Sequence, residues 1–339
     1  MAVSFLPFDA VKNAIALDDA QKADYIVPLA DLDLEIGENG AWLCLCPFGT
    51  FSVSSIAREQ ICQKLGLPLS YLLRCPVWLQ RQNLSFWLSQ RQRKGGKVLL
   101  RTKGEVVRAF LSPSFSPFDH RDLLAVLESI PSVGEKLLPF QFALTEKSLH
   151  LSLLDPEPFE VVWDSQREKL HFGVYIRNSE VGFAKVALSA CLHRHACGNL
   201  FVSETVFSKV HLWLDKREIK ERLSSALEKA FSLTAPKVAE ALMTSLSVSI
   251  PSGAKERVFQ HAAKLAGQKA LRELLALEYE REKETSGSGE TLFTLVQAIA
   301  RAASQLPDAE TRFSLSRFAT SLLPKGNGEV PFLFVPSGR

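Results

Sequence analysis

Apolar and polar positions change period along this chain, and each change marks an element. Ala41–Cys46 reads as a short strand and Phe51–Val53 as the start of its return. Ser55–Leu65 has helical spacing, with Ile56, Ile61 and Leu65 on one stripe, and Gly66-Leu67-Pro68 ends it. A short helix through Tyr71 and Leu72 is expected next, then a longer one over Pro76–Lys94, where proline is tolerated in the first turn. The run KVLLRTKGEVVRAFL predicts a hairpin about Lys103-Gly104. That loop pairs Thr102 with Glu105, Arg101 with Val106 and Leu99 with Arg108. Val98, Leu100, Val107, Ala109 and Leu111 then form the core face, and Lys97, Leu99, Arg101, Val106, Arg108 and Phe110 the other.

Arg121–Ser129 predicts a helix, and strands are expected near Pro139–Leu144, Ser148–Leu153, Phe159–Trp163 and Lys169–Arg177. In the last of these, Leu170, Phe172, Val174 and Ile176 alternate with Lys169, His171, Tyr175 and Arg177, the pattern of a half-buried antiparallel strand. Helical periods take over from Asp215, which forms a capping pair with Glu218 ahead of a stripe of Ile219, Leu223, Leu227 and Phe231. A helix over Glu256–Arg281, a polar connector KETSGSGE, and helices over Thr291–Gln305 and Ala309–Leu323 complete the chain. The fold class expected is α+β. A twisted antiparallel sheet with a β-hairpin and packed helices occupies residues 1–210, and a helical C-terminal region occupies 211–339.

Totals narrow the picture little. With 46% hydrophobic and 23% charged residues, the composition is that of an ordinary globular protein, and a net charge of +3 does not by itself announce a nucleic-acid binder. The first residues lack a secretory-signal pattern, and no apolar run reaches the roughly 20 residues needed to cross a bilayer. Six cysteines without disulfide-framework spacing suit a reducing cytoplasm. No phosphate-binding loop, dinucleotide fingerprint or nucleophile elbow is present, so no cofactor is implied and enzymatic activity is disfavoured.

Local charge says more. Arg74 to Arg108 holds nine basic residues (Arg74, Arg81, Arg91, Arg93, Lys94, Lys97, Arg101, Lys103, Arg108) and one acid, Glu105, with Trp78, Phe86, Trp87 and Phe110 interleaved. Basic side chains neutralise phosphates and release counterions, and aromatic faces stack unpaired bases. The plainer reading is a solvated face with the tryptophans in the core.

Four segments together resemble a phage/plasmid-like family catalogued as domain of unknown function 932. They are AREQICQKLGLPLSYLLRCP (Ala57–Pro76), LLRTKGEVVRAFLSPSFSPFDHRDLL (Leu99–Leu124), RNSEVG (Arg177–Gly182) and RHACGN (Arg194–Asn199). TLFTLVQAIARAA (Thr291–Ala303) is similar to the family's C-terminal helix. In the last of the four, Arg194, Cys197 and Asn199 fit the usual pattern, but Leu200 stands where glycine is usual, which puts the tight turn there in question. The resemblance implies a protein of phages, plasmids or other mobile DNA and carries over no catalytic residue. A more distant similarity, to single-strand annealing proteins of the Rad fifty-two type, implies a ring-forming sheet-and-hairpin fold with a basic groove.

Two motifs admit alternatives. In RNSEVG, Arg177, Asn178 and Glu180 could meet a phosphate, a neighbouring subunit or a metal, or Asn178-Ser179 could make a turn with Glu180 paired to Arg177 or Arg194. CLHRHAC places Cys191, His193, His195 and Cys197 on one strand face, opposite Ala190 and Leu192. Six strand residues extend about 20 Å, so Cys191 and Cys197 cannot share a zinc ion. His193 and His195 could share one only with help from His171 or His211, and a groove-lining or interface strand is the favoured reading. No metal is therefore assigned.

The function expected is single-stranded DNA binding or annealing in recombination, without nucleotide hydrolysis. Arg91, Arg93, Lys94, Lys97, Arg101, Lys103 and Arg108 would contact phosphates, with Lys185 and Arg194 extending the track. A ring or helical homo-oligomer would supply a continuous groove, and the C-terminal helices could recruit a single-strand-binding protein or a nuclease. The alternatives are a protein-interaction module modulating host defence or replication, and then a metal-dependent nuclease.

Overall fold

The computed structural model describes residues 3–163, 166–195, 197–212 and 216–325. Asp215, half of the expected capping pair, and Ala196 of CLHRHAC lie outside them. Helix α1 (Phe8–Asp19) precedes a six-stranded sheet of β1 (Lys22–Pro28), β2 (Asp33–Ile36), β3 (Trp42–Cys46), β4 (Gly49–Val53), β5 (Lys97–Lys103) and β6 (Val106–Leu111). Their spatial order is β1-β5-β6-β4-β3-β2, antiparallel except where β4 runs parallel to β6. Helices α2 (Ser55–Leu65), α3 (Leu69–Leu72) and α4 (Val77–Arg93) fill the β4–β5 connection. Ser54 caps α2 by accepting the Ala57 N–H, and the chain turns out of the helix at Gly66, as its sequence predicts.

Helix α5 (His120–Glu128) and the single turn α6 (Ser132–Glu135) lead into a second six-stranded sheet. Its strands are β7 (Leu138–Leu144), β8 (Leu149–Leu154), β9 (Phe159–Trp163), β10 (Gln166–Asn178), β11 (Val186–Arg194) and β12 (Leu200–Lys209). The order is β12-β11-β10-β8-β7, with β9 paired to the start of β10. After β12 the described elements are helical: α7 (Lys216–Lys229), a π turn over Ala230–Thr234, α8 (Ala235–Thr244), α9 (Ala254–Leu265), α10 (Leu271–Ser286), α11 (Leu292–Ser304) and α12 (Ala309–Ser321). The fold is α+β, with a helical C-terminal region.

Three large apolar clusters hold these layers. Val98, Leu100, Trp42 and Cys44 of the first sheet pack against Ile61 of α2 and Leu84 and Leu88 of α4. One face of the second sheet, through Leu151, Val174 and Leu188, meets α1, α5 and α7. Leu170, Leu192 and Phe201, farther along that sheet, join the core of α8 to α12, so the helical region shares buried surface with the strands.

The structure corrects four expectations. The hairpin turns on Gly104-Glu105, with Lys103 opposite Val106, and a bulge follows so that Arg101 faces Ala109 and Leu100 faces Phe110. An extra residue in one strand reverses the faces beyond it, so Phe110 joins Leu100 in the core while Ala109 turns to the other side. The strand expected to be half-buried, β10, is covered on both faces: His171 and Tyr175 on its second face are buried, and Tyr175 packs with Cys191 of β11 and Phe313 of α12. The helix expected over Glu256–Arg281 is two helices, because α9 closes with the Gln268 N–H on the Ala263 carbonyl around Gly267. Finally, the connector KETSGSGE begins inside α10, which continues to Ser286.

Candidate nucleic-acid interface

Helix α4 reads VWLQRQNLSFWLSQRQR and contains no acid. Gln80, Leu84 and Leu88 are its buried residues, spaced one helical turn apart and set against the first sheet. Trp78, Gln82 and Phe86, also four apart, run along the solvent side, and Arg93 falls on that side too. Trp78 is 60% exposed, Phe86 55% and Trp87 42%, and the Phe86 and Trp87 rings meet edge to face at 5.3 Å. Tyr71 and Leu73, just before the helix, are exposed as well. The core reading of the tryptophans therefore does not hold for Trp78 and Trp87.

The cations around these rings are unneutralised. Arg74, Arg81, Arg93, Lys94 and Lys97 are exposed and Arg91 is half-buried, and none of the six has a carboxylate partner among the described residues. Partial burial, with the charge of Arg91, pushes the Lys64 pKa down, the response of an ammonium in a positive field. Asp33 and Glu35 on the neighbouring strand β2 do not oppose this field at the helix. They alternate with Leu34 and Ile36, which face the α4 core, so their carboxylates leave by the opposite face.

The other basic residues singled out from the sequence divide sharply. Arg101 is 1% exposed: its Nε and Nη2 donate to Asp24 (2.8 Å) and Asp119 (2.7 Å), and its Nη1 donates to the Glu180 carbonyl (2.8 Å). All its nitrogens are occupied, so a phosphate contact by Arg101 is corrected to a buried structural role. It is buried because the outer face of the hairpin packs on Val181 and Phe115 rather than on solvent. Lys103 is exposed but pairs with Asp18, and half-buried Arg108 gives its Nη1 to Glu180 at 2.6 Å. Lys185 is exposed ahead of β11. Arg194 is buried, with Nη1 on Glu282 of α10 at 2.9 Å and Nη2 on Glu168, and is likewise removed from any phosphate track.

Both family-like motifs act as latches. In RNSEVG, Arg177 pairs with Glu310 of α12, and Asn178 donates to the Phe118 carbonyl at 2.9 Å. Ser179 Oγ donates to the Lys147 carbonyl at 2.6 Å, and Gly182 turns the chain at φ 72° with Leu111 packed against it. Glu180, fully buried, is the hub: its carboxylate takes Lys22 Nζ at 2.7 Å, Arg108 Nη1 at 2.6 Å and the His120 N–H at 2.8 Å. Burial opposes its charge, but His120, Arg108 and Lys22 outweigh burial and hold its pKa well below the carboxylate range. Glu180 thus joins β1, β6 and α5 to the end of β10. The expected partners Arg177 and Arg194 are not the ones it uses.

In RHACGN, Asn199 Nδ2 donates to the Gln297 side chain at 2.6 Å and Arg194 grips α10, so the motif fixes α10 and α11 onto the second sheet. The tight turn is made at Gly198, whose φ of 73° is available to glycine at no steric cost; Leu200 opens β12 as a buried residue. Lys22, His120, Gln297 and Glu310 had no sequence signal, since each acts across more than fifty residues of chain.

Among the described residues no group of three or more His, Cys, Asp or Glu side chains is placed to hold a metal ion. His171 Nε2 lies 3.3 Å from His195 Nδ1, and His193 is buried against Phe140. The β11 face carrying Ser189, Cys191 and His193 is buried, with Cys191 near Phe313 of α12 and His193 against Phe140 of β7. Burial pushes His120, His193 and His211 down to about 4, with His171 and His195 adding to the effect at His193. These imidazoles are neutral when folded and take up protons more readily when unfolded. Stability is therefore complete above about pH 6.5 and falls as pH drops toward 4. Each should contribute a loss of about 1 kcal/mol between pH 6.5 and 5.5. Urea midpoints measured across that interval check this; a flat profile would contradict it.

No described helix is long and apolar enough to cross a membrane. Comparisons with family models, with curated proteins and with solved structures return no match.

Proposed function

We propose that the chain is a non-enzymatic nucleic-acid-binding protein that holds single strands on the solvent face of α4 and the segment after it. The observation carrying this reading is the exposure of Trp78, Phe86 and Trp87 on a helix that has no acid and is flanked by unneutralised cations. Exposed aromatic rings accept unpaired bases at about 1–3 kcal/mol each, and nearby Arg and Lys track the backbone. Arg74, Arg81, Arg93, Lys94 and Lys97 are the phosphate contacts in this reading, with Arg91 beside them. Lys185 is an outlying candidate on the second sheet. Work in recombination on mobile DNA is supported by the sequence resemblance alone. Assembly into a ring or filament and recruitment of partners by the C-terminal helices belong to the same proposal.

Exposed Leu73 and Tyr71 beside Trp78 favour a second reading, a docking face for an acidic protein partner. Tryptophan emission separates the two. Titration with a single-stranded oligonucleotide should quench the wild type, and W78F/W87F should still bind but lose most of the quenching, because phenylalanine stacks without reporting. Quenching that survives in W78F/W87F would move the contact away from α4, and absence of any binding would leave the protein-docking reading.

A further inference from the structure

A second site lies where the two sheets meet. The hairpin end of β5–β6, the amino end of α2 and the β7–β8 turn enclose a cavity of about 360 Å³. Its lining sets four cations, Lys22, Lys103, Arg108 and Lys147, against three carboxylates, Asp18, Glu146 and Glu180. His120, also in the lining, is neutral at pH 7.

Three of the four cations are paired with carboxylates, Lys22 and Lys103 with Asp18, Lys22 also with Asp19, and Lys22 and Arg108 with Glu180. Glu180 is closed on both oxygens by Lys22, Arg108 and the His120 N–H, and Asp18 is engaged by Lys22 and Lys103. Exposed Lys147 has no carboxylate partner among the described residues, and its Nζ rests 5.0 Å over the Phe183 ring. Arg108 commits only Nη1; its Nε and Nη2 are closed to solvent and have no acceptor. Buried donors without acceptors are rare, and each calls for a water or an ion that can be inserted beside it. Ser54 and Ile56 bring the amino end of α2 to the same cavity, and its first turn carries no acid to occupy the dipole.

We propose that this cavity binds a compact oxyanion of the phosphate class, held by Arg108, Lys147 and the amino end of α2. Donors arriving from three separate elements suit a tetrahedral anion with several acceptor oxygens better than a planar carboxylate. The site does not depend on the α4 face. Lys97 and Lys103 stand at opposite ends of β5, about 20 Å apart by strand length.

Calorimetric titration of the protein with inorganic phosphate at constant ionic strength tests it. The wild type should bind saturably, and K147Q and R108Q should each bind about tenfold more weakly, the effect of losing one charge-assisted hydrogen bond. K147Q alters an exposed side chain outside the Glu180 hub, so it remains informative if R108Q is unstable. Alanine at both Trp78 and Phe86 should leave phosphate binding unchanged, which separates this site from the strand-binding face. Single-stranded oligonucleotides with and without a 5′-phosphate then identify the source. Displacement of phosphate by the phosphorylated strand alone marks a nucleic-acid end, and displacement by neither marks a small phosphorylated ligand. No saturable phosphate binding would mean that the cavity holds only water, binding equal in wild type and K147Q would place the anion away from Lys147, and either result would overturn the proposal.

Discussion

Glu180→Gln should destabilise the fold by about 3–5 kcal/mol, the range for removing one partner from a buried ion pair. Glutamine has nearly the shape of glutamate, so the loss would be electrostatic rather than a matter of packing. One carboxylate oxygen receives both Lys22 and Arg108 and the other receives the His120 N–H. Whichever way an amide is turned, its NH₂ opposes a donor, and Arg108 loses its carboxylate partner while Lys22 keeps Asp18 and Asp19. Urea unfolding of the wild type and E180Q measures the loss. A cycle with Arg108→Met should recover part of it, because that change removes the stranded charge. A loss below about 1 kcal/mol would show that water reaches the hub and that RNSEVG matters for something other than holding the sheets together.

Alanine at both Trp78 and Phe86 should have the opposite profile. Neither ring is part of an apolar core, so stability should stay within about 0.5 kcal/mol of wild type. Single-strand affinity should fall by at least about thirtyfold, from two stacking contacts of about 1 kcal/mol or more each. Fluorescence anisotropy with a labelled oligonucleotide reads this directly. Unchanged affinity would remove the aromatic face from the binding surface, and a large loss of stability would mean that the rings hold the fold.

Much of the architecture was legible wherever one face of an element is apolar. Helices α2, α4, α11 and α12 and most strands of the second sheet lie close to the spans that the sequence periods predict. The hairpin was legible as a hairpin but not in register. The bulge opposite Arg101 depends on packing against Val181 and Phe115, which lie outside the hairpin sequence. The same contacts explain why Arg101, read as a surface cation, is buried: alternation tells which residues share a face, not whether another layer covers that face. Strands β1, β2 and β12 gave no reading at all, and with β1 went Lys22 and Asp24, partners of Glu180 and Arg101.

At the candidate interface the charge imbalance was visible from composition, since a run with nine basic residues and one acid needs no structure to be noticed. Which cations remain free was not visible. Arg93, Lys94 and Lys97 are unneutralised, whereas Lys103, Arg108 and Arg194 are engaged by acids distant in sequence. Exposure of Trp78 and Trp87 was equally hidden, because a helix with aromatics at several phases can bury any of them.

The central claim is that α4 and the segment after it bind single strands through stacked bases and neutralised phosphates. Anisotropy titrations of labelled single- and double-stranded oligonucleotides over a range of salt concentrations test it most directly. Tighter binding of the single strand is expected, with log affinity falling linearly in log salt by about 0.7 for each cation engaged. Changing Arg93, Lys94 and Lys97 to alanine should flatten that slope by about 2. Absence of single-strand binding at low salt, or a slope unaffected by those three changes, would contradict the account.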